Sequence, residues 1–309
     1  MSISTVQAVI NGSTVNLTYD STSGKYHAQV TAPSSSSYPE TNHYFPVSVT
    51  ATDSAGNSTT ITTSDATLGN NLKLYVQEKV KPTVSITSPS NSAYIINSTP
   101  TITFTLLDNS NGQSSGFSGV NTSTCVIKID GSTISGTPTF TATTGGYTGS
   151  LALSSALTDG SHTLSITVQD YDGNTSDAAT STFTVDTVAP TLTITNPSSQ
   201  STETNADTIT VTGTTSDTTS TPVAITISLN GTDQGSVTVG AGGAFSKTVT
   251  LAQNQQNTII ITATDAAGKT TSVTRYVTHN NVAPVFTSVS IVPNPVDAGT
   301  TYDIYVEVE

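Results

Sequence analysis

The stretch IITATDAAGKTT, residues 260–271, decides the fold, because the chain carries it three times in related form. The other two copies are SVTATDSAGNST at 48–59 and SITVQDYDGNTS at 165–176. Each copy has apolar residues at alternate positions, then a turn of the form Asp-x-x-Gly, and then a second alternating run. A period of two around a glycine-containing turn is typical of a β-hairpin. The repeat therefore predicts three related β-rich modules.

Two more features recur upstream of each copy, always in the same order. The first is an apolar residue followed by Asn-Gly or Asp-Gly, and the second is a glycine followed closely by an aromatic residue. They are Ile10-Asn11-Gly12 with Gly24-Lys25-Tyr26, Ile129-Asp130-Gly131 with Gly146-Tyr147, and Leu229-Asn230-Gly231 with Gly243-Ala244-Phe245. A conserved order of several features within one chain is the signature of a repeat architecture.

A junction phrase follows each hairpin and separates the modules. It reads VKPTVSITSPS at 80–90, VAPTLTITNPS at 188–198 and VAPVFTSVSIVPNP at 282–295. Proline lacks a backbone N–H and is favoured at strand starts and linkers. Successive junction prolines are about 100 residues apart, which is the size of one β-sandwich domain. No amphipathic helical pattern of useful length interrupts the strands, so an all-β chain is predicted.

Composition argues against nucleic acid as a partner and against a membrane-spanning segment. The chain has 309 residues, a net charge of −13, a pI near 4.3, and eight Lys and Arg residues that are scattered along it. Proteins bind phosphate backbones by concentrating basic side chains and releasing counterions, so nucleic acid is not an expected partner. No stretch approaches the ~20 consecutive apolar residues of a membrane span.

The repeated hairpin VTATDxAGNxT, followed by VxPTxxITxP, resembles the bacterial Ig-like (Big) domains. The resemblance covers most of residues 1–309 and implies tandem Greek-key β-sandwiches arranged as beads on a string. Such domains occur in bacterial surface adhesins, in accessory modules of carbohydrate-active enzymes and in tailed-phage virion proteins. The resemblance implies that the domains extend the protein, mediate adhesion or decorate a surface, rather than catalyse a reaction. It does not distinguish among the three settings.

The repeat divides the chain into four segments. A segment with two predicted strands precedes the Asn/Asp-Gly feature in the second repeat, at 83–108, and in the third, at 191–217. The first repeat starts almost at that feature. We therefore predict an N-terminal module at 1–79 that lacks its first two strands. Complete Ig-like domains follow at 80–187 and 188–281. Residues 282–309 are predicted to be the two-strand start of a further module.

Three explanations remain open for the strands at 282–309. The chain is a piece of a longer array, or the first module is a natural short variant and the tail packs on the third domain, or the tail of one chain completes the head of another by strand addition. The last alternative predicts a homo-oligomer. Its candidate strand-exchange residues are Pro284, Val289, Ile291, Tyr302, Ile304 and Val306.

Candidates for catalysis are few. The four histidines His27, His43, His162 and His279 stand apart in sequence, and no zinc-binding HExxH or nucleophile-elbow GxSxG motif is present. The single Cys125 lies in a strand pattern, where a buried apolar role is expected. We therefore predict a protein that is not an enzyme and that requires no cofactor.

Calcium is the cation that the acidic turns favour. Calcium takes six to eight oxygen ligands, and Asp170, Asp172 and Asn174 cluster such oxygens on one hairpin. Asp186 precedes the second junction proline and is predicted to complete the site if the hairpin abuts the linker. The alternative is that these acids only form turns by accepting hydrogen bonds from their own backbone.

Aromatic residues offer a candidate contact for glycans or protein partners. Tyr38, Tyr44 and Phe45 lie in the irregular stretch SSSSYPETNHYFP. Exposed aromatic rings in such loops stack on sugars, but packing within the module is the competing role.

The leading functional hypothesis is a structural or adhesive component of a tailed-phage (prophage) virion. The N-terminus MSISTVQAVINGSTV has neither the basic nor the apolar region of a secretory signal. A virion protein that assembles in the host cytoplasm and leaves by lysis fits this sequence, as does a piece of a longer protein. The alternatives are a segment of a bacterial cell-surface adhesin, or accessory polysaccharide-binding modules of a carbohydrate-active enzyme. The expected partners are other virion or surface proteins and cell-surface polysaccharide.

Overall fold

The structure is a computed structural model that describes residues 2–109 and 116–309. The chain divides into two compact units, residues 1–185 and 186–309. The described residues form β-strands, turns and loops, with single 3-10 turns at Thr41–His43, Gly69–Leu72 and Ala241–Gly243. The all-β prediction is confirmed. Nowhere in the described ranges is a helix long and apolar enough to cross a membrane.

The first module, residues 2–79, is built on one sheet. Its strands are β1 (Ile3–Ile10), β2 (Ser13–Asp20), β3 (Lys25–His27), β4 (Phe45–Asp53), β5 (Ser58–Ile61) and β6 (Lys73–Leu74). The strand order is β3-β2-β1-β4-β5, and β6 pairs with the start of β4. Val6 and Ala8 are the buried apolar residues of β1, whereas Val47 and Val49 on the same face of β4 are only half-buried.

The second module, residues 80–185, is a two-sheet sandwich. Its strands are β7 (Thr83–Ser88), β8 (Tyr94–Ile95), β9 (Thr101–Leu107), β10 (Val120–Ile129), β11 (Ser132–Thr133), β12 (Thr139–Thr143), β13 (Gly146–Ala152), β14 (Gly160–Asp170) and β15 (Ala179–Val185). The sheets have the orders β12-β13-β9-β7 and β11-β10-β14-β15-β8. Alternate residues of both sheets, such as Phe104, Leu106, Leu164 and Ile166, are almost fully buried between them, as expected for a sandwich core.

The third module, residues 186–281, repeats this arrangement. Its strands are β16 (Thr191–Asn196), β17 (Ser201–Thr204), β18 (Thr208–Ser216), β19 (Ala224–Leu229), β20 (Thr232–Asp233), β21 (Ala244–Thr250), β22 (Gln256–Thr264) and β23 (Thr270–His279). The sheets have the orders β16-β18-β21 and β17-β23-β22-β19-β20. Val211, Ile227, Ile259 and Ile261 are fully buried in the core.

The terminal hairpin consists of β24 (Phe286–Val292) and β25 (Asp303–Val308), which pair with each other in a two-stranded sheet. Its cross-strand pairs include Val289 with Val306 and Ile291 with Ile304. Every residue from 280 to 309 is exposed. The two predicted strands are present, while the predicted module bounds themselves remain predictions.

The recurring Asn/Asp-Gly feature is explained by a turn that also fixes the next strand. Asp130 and Asn230 have positive φ values of 51° and 52°, which these residue types tolerate better than most. The Oδ1 atom of Asp130 accepts a hydrogen bond of 2.8 Å from Thr163 N, and Asn230 Oδ1 accepts an equal bond from Thr258 N. One side chain thus closes the turn after β10 or β19 and anchors β14 or β22 beside it.

Candidate cation sites and surface residues

The hairpin aspartates of all three modules form their own turns. Asp53 Oδ1 accepts the backbone N–H of Asn57, Asp170 Oδ1 accepts that of Asn174, and Asp265 Oδ1 accepts that of Lys269. This shared bond is the turn-forming role considered for these residues. The modules differ in what surrounds the second carboxylate oxygen.

In the first module the hairpin carboxylate is fully satisfied. Asp53 Oδ2 accepts a 3.0 Å bond from Asn57 Nδ2, and Oδ1 also accepts Ala55 N–H. These hydrogen bonds, with those from Asn57 foremost, lower the pKa of Asp53. Asp53 therefore has the geometry of a turn residue and serves as an internal reference for the other two.

In the first unit, three buried carboxylates converge next to the second hairpin. Ligand oxygens of Glu78, Asp108 and Asp170 all lie within 4.8 Å of one another. Glu78 lies in the linker before β7, Asp108 directly follows β9, and Asp170 ends β14. Asp108 and Asp170 are each only 2% exposed. We call this group the first acid cluster.

Hydrogen bonds position the first acid cluster but leave one oxygen free. Asn174 Nδ2 donates to both Asp170 Oδ2 and Glu78 Oε1, at 2.8 and 3.1 Å. Gly119 N donates to Asp108 Oδ2 at 2.6 Å. Asp108 Oδ1 is buried and has no hydrogen-bond partner among the described residues. A buried, unpaired carboxylate oxygen is costly unless something else satisfies it.

The electrostatics of the first acid cluster show the cost of crowding these charges. Burial raises the pKa of Glu78 to about 7, and the carboxylates of Asp170 and Asp108 add to the rise. Burial likewise raises the pKa of Asp108, with further contributions from Asp170 and Asp172. Without a counter-charge, the cluster favours a proton on at least one of its acids.

The third module has a matching second acid cluster. Ligand oxygens of Asp186, Asp217 and Asp265 also lie within 4.8 Å of one another. Asp186 is fully buried and accepts a hydrogen bond from the Ser220 hydroxyl. Asp217 Oδ1 accepts the backbone N–H groups of Thr219 and Ser220. Asp265 Oδ2 is buried and, within the part of the chain that the structure describes, unpaired.

The two clusters occupy equivalent positions of their modules. Each has one acid four residues before a junction proline, one after the strand that precedes the crossover, and one at the end of the hairpin strand. Each also leaves one oxygen of a carboxylate without a partner. The placement of the three acids is therefore repeated, whereas the unpaired oxygen lies on the acid after β9 in the first cluster and on the hairpin acid in the second.

The structure regroups the residues that the sequence suggested for calcium. Asp170 is a member of the first acid cluster, and Asn174 donates a hydrogen bond to it. Asp172 Oδ2 accepts the backbone N–H of Glu78. Asp186 instead belongs to the second unit, in the second acid cluster. Sequence reasoning missed Glu78, Asp108, Asp217 and Asp265 as members of the clusters. For Glu78 the available signal was its position four residues before Pro82, which matches that of Asp186 before Pro190, and the lysines next to Glu78 obscured it.

The three candidate aromatic residues have different environments. Tyr38 stacks between Tyr171 and His43, with ring centroids 4.3 and 4.2 Å away. Tyr44 is half-buried beside Tyr75, which is 65% exposed. Phe45 is 2% exposed and packs inside the first module, so its ring does not face solvent. Tyr38 and Tyr44 therefore each have a neighbouring exposed ring, Tyr171 in the first case and Tyr75 in the second.

The histidine and cysteine side chains show structural contacts. His162 Nδ1 lies 2.7 Å from Asp130 Oδ2, and Nε2 lies 2.8 Å from Thr158 O. Burial opposes protonation, but these acceptors outweigh it and raise the pKa of His162. Burial raises the pKa of Cys125 to about 11, which disfavours the reactive thiolate.

The structure defines a protein of tandem β-sandwich domains, and the comparisons with family models agree with this class. Residues 85–187 match the family model of the bacterial Ig-like domain, so the second module is a bacterial Ig-like domain. Residues 190–281 match the model described as glucodextranase, domain B. Each match covers about a third of the chain. No curated protein shows significant sequence similarity to the chain.

Solved structures with tandem β-sandwiches are also similar. The fibronectin(III)-like modules of Clostridium thermocellum CbhA match at 18% identity and a TM-score of 0.40, over 64% of this chain and 94% of that chain. A tetra-tandem repeat from the extending region of a large adhesion protein matches at 19% and 0.30, over 98% and 79%. Bacteroides ovatus SGBP-B, solved with a mixed-linkage heptasaccharide, matches at 14% and 0.23, over 96% and 65%. At these identities and TM-scores the likeness carries no information on ligand or partner.

Proposed function

We propose that the chain is a non-catalytic spacer of tandem Ig-like modules that binds calcium at the two acid clusters. The observation that carries the proposal is the repeated buried oxygen without a partner, on Asp108 in one module and Asp265 in the next. Buried carboxylate oxygens are seldom left unsatisfied, and here each of the two clusters has one, on the acid that follows β9 in the first cluster and on the hairpin acid in the second.

The donor set is suited to calcium. Each cluster offers three carboxylates on separate segments, and calcium accepts carboxylate, carbonyl and water oxygens in flexible geometry. Glu78 and Asp186 lie in the linker, whereas their cluster partners lie at strand ends and hairpins. A bound cation would neutralise the crowded charges and tie the linker to the body of its module. A stiffer linker suits a spacer protein, because it holds a surface-binding domain at a fixed distance.

The setting that we propose is a tailed-phage or prophage virion, supported by the resemblance to modules that decorate such particles. An extracellular or cell-surface adhesin is the alternative. Detection of the chain in purified particles from an induced lysate, by mass spectrometry, tests the first setting. Its recovery only in the cell-surface fraction contradicts it.

A polysaccharide-binding accessory role is a second candidate, favoured by the match of residues 190–281 to glucodextranase domain B. Binding of the chain to an array of cell-surface and plant polysaccharides tests it. Tyr44→Ala and Tyr75→Ala would weaken such binding if the aromatic pair contacts the sugar. Absence of binding to every polysaccharide contradicts this second role.

Calcium titration tests the cation proposal directly. We expect calcium to raise the melting temperature and calorimetric binding to give two sites per chain. Asp108→Asn should remove one site and Asp265→Asn the other, because each loses the anionic oxygen that lacks a partner. Asp177→Asn, which changes an exposed acid of the second module, is the matched control and should bind as the parent does. Unchanged melting in excess calcium would overturn the proposal.

A further inference from the structure

The terminal hairpin carries an apolar face that is exposed. Side chains on one face of β24 and β25 are apolar, and the opposite face is mixed, with Ser288, Ser290, Asp303 and Glu307 beside Val292 and Tyr305. The apolar residues are Phe286, Val289, Ile291, Ile304, Val306 and Val308, which are 42–69% exposed. Contiguous apolar patches on soluble proteins usually mark an interaction surface.

The second and third modules show what such a hairpin covers. There, the equivalent strand pairs are β7 with β9 and β16 with β18. Their apolar residues, such as Phe104 and Val211, are buried against the facing sheet. A third strand, β13 or β21, pairs with the other edge of β9 or β18 over seven residues. The hairpin thus has the form of a strand pair that needs both a facing sheet and a neighbouring strand.

The first module offers a facing sheet with a half-open inner face. Val47 and Val49 of β4 are half-buried. The residues in the same register positions of the second module, Leu164 and Ile166, are fully buried. Apolar residues on both surfaces would therefore lose contact with water if they met.

The first module also offers the neighbouring strand. β3 begins after Gly24 and corresponds to β21, which begins after Gly243. A Cβ atom built on Gly243 would lie 1.7 Å from Thr215 O near the end of β18, whereas nothing lies within 4 Å of one built on Gly24. β3 is an edge strand that pairs with residues 18–20 of β2, beyond residues 13–17, which pair with β1, and residues 27–32, which continue β3, are exposed. An open backbone edge is available for strand addition.

We propose that the terminal hairpin of one chain docks on the first module of a second copy. β25 pairs with the open edge at residues 25–31, and the apolar face of the hairpin covers the half-buried inner face of β4. The contact uses different surfaces on the two copies, so it is heterologous and propagates into head-to-tail oligomers unless the rotation closes a ring. This assembly does not depend on the calcium proposal.

The test measures the mass of the full 309-residue chain over a concentration series by sedimentation and light scattering. We expect dimers and larger species that grow with concentration. Ile304→Asp places a charge on the exposed apolar face and should leave a monomer. Ser290→Asp adds the same charge on the opposite face of the hairpin and should assemble as the parent does. A parent chain that stays monomeric at its highest soluble concentration overturns the proposal.

Mixing separates this contact from a hairpin-to-hairpin dimer. The double variant Ala28→Pro with Gln29→Pro removes two N–H groups from the open edge outside β3, so it should stay monomeric alone. Its intact hairpin should still dock on the intact first module of Ile304→Asp. An equimolar mixture of the two variants is expected to form one-to-one dimers that grow no further. Oligomers formed by the proline variant alone would overturn the proposal. So would the absence of dimers in the mixture, if the parent chain itself assembles.

Discussion

Glu78 is the residue at which the linker, the hairpin and the acid cluster meet. Its backbone N–H donates to Asp172 Oδ2, its carboxylate accepts Asn174 Nδ2, and its charge faces Asp108 and Asp170. A carboxyl group whose pKa rises to about 7 on folding is more easily ionised in the unfolded chain. In the absence of a cation, Glu78 therefore links the stability of the first unit to pH.

Removing this ionisable group should flatten that dependence. The folded pKa of about 7 lies above the reference value of 4.5, so the stabilising contribution is complete below pH 4.5 and is lost as pH rises through 7. In chelator-containing buffer, the free energy of unfolding of the parent should fall across this range more steeply than that of Glu78→Gln. Urea denaturation at a series of pH values measures the difference. Glu40→Gln, at an exposed acid, should follow the parent, and parallel curves for the parent and Glu78→Gln would contradict the prediction.

At the scale of strands, the second and third modules use the same cross-strand pair with its members exchanged. Phe104 of β9 lies opposite Gly149 of β13, whereas Gly213 of β18 lies opposite Phe245 of β21. The ring occupies the space over the glycine in both cases. A Cβ on Gly149 would lie 2.4 Å from the Phe104 ring, and one on Gly213 would lie 2.8 Å from the Phe245 ring.

Filling this space should destabilise the strand pair. A Cβ at residue 213 would also lie 2.3 Å from Thr193 O of β16, so Gly213→Ala forces β16 or the Phe245 ring to move. Overpacking of this kind costs ~1–3 kcal/mol. Urea denaturation should show that loss for Gly213→Ala. At Gly240 the added Cβ would make only an ordinary contact at 3.6 Å, so Gly240→Ala should stay within ~0.5 kcal/mol of the parent. Equal effects of the two substitutions would exclude the packing explanation.

The strands were predictable and the acid clusters were not, for a physical reason. Alternation and turn residues are local, so residues 260–271 alone specify β22, the turn after it and the start of β23. Glu78, Asp108 and Asp170 converge only because the two sheets of the second module bring distant segments together. The local sequence likewise does not predict that Phe104 on β9 is replaced by Gly213 on β18. Each of these residues is explained by its cross-strand partner, which is about 30 or more positions away.

At the scale of the whole molecule, each of the two units encloses its own core. The largest buried cluster of the first unit contains Ile166 and Phe183, and that of the second contains Val211 and Ile261. A chain of 309 residues would not be expected to share a single core. Core substitutions should therefore act within the unit that contains them.

Calorimetry of paired substitutions tests this independence. Ile261 is fully buried, whereas its neighbour Ile260 points to the other face of β22 and is 38% exposed. Ile261→Ala should cost ~2–5 kcal/mol, because it removes buried methyl groups and leaves a cavity. We expect one thermal transition to move to lower temperature and another, from the first unit, to stay in place. Ile260→Ala should move neither by a comparable amount. A shift of every transition together in Ile261→Ala would mean that the two cores unfold as one cooperative body.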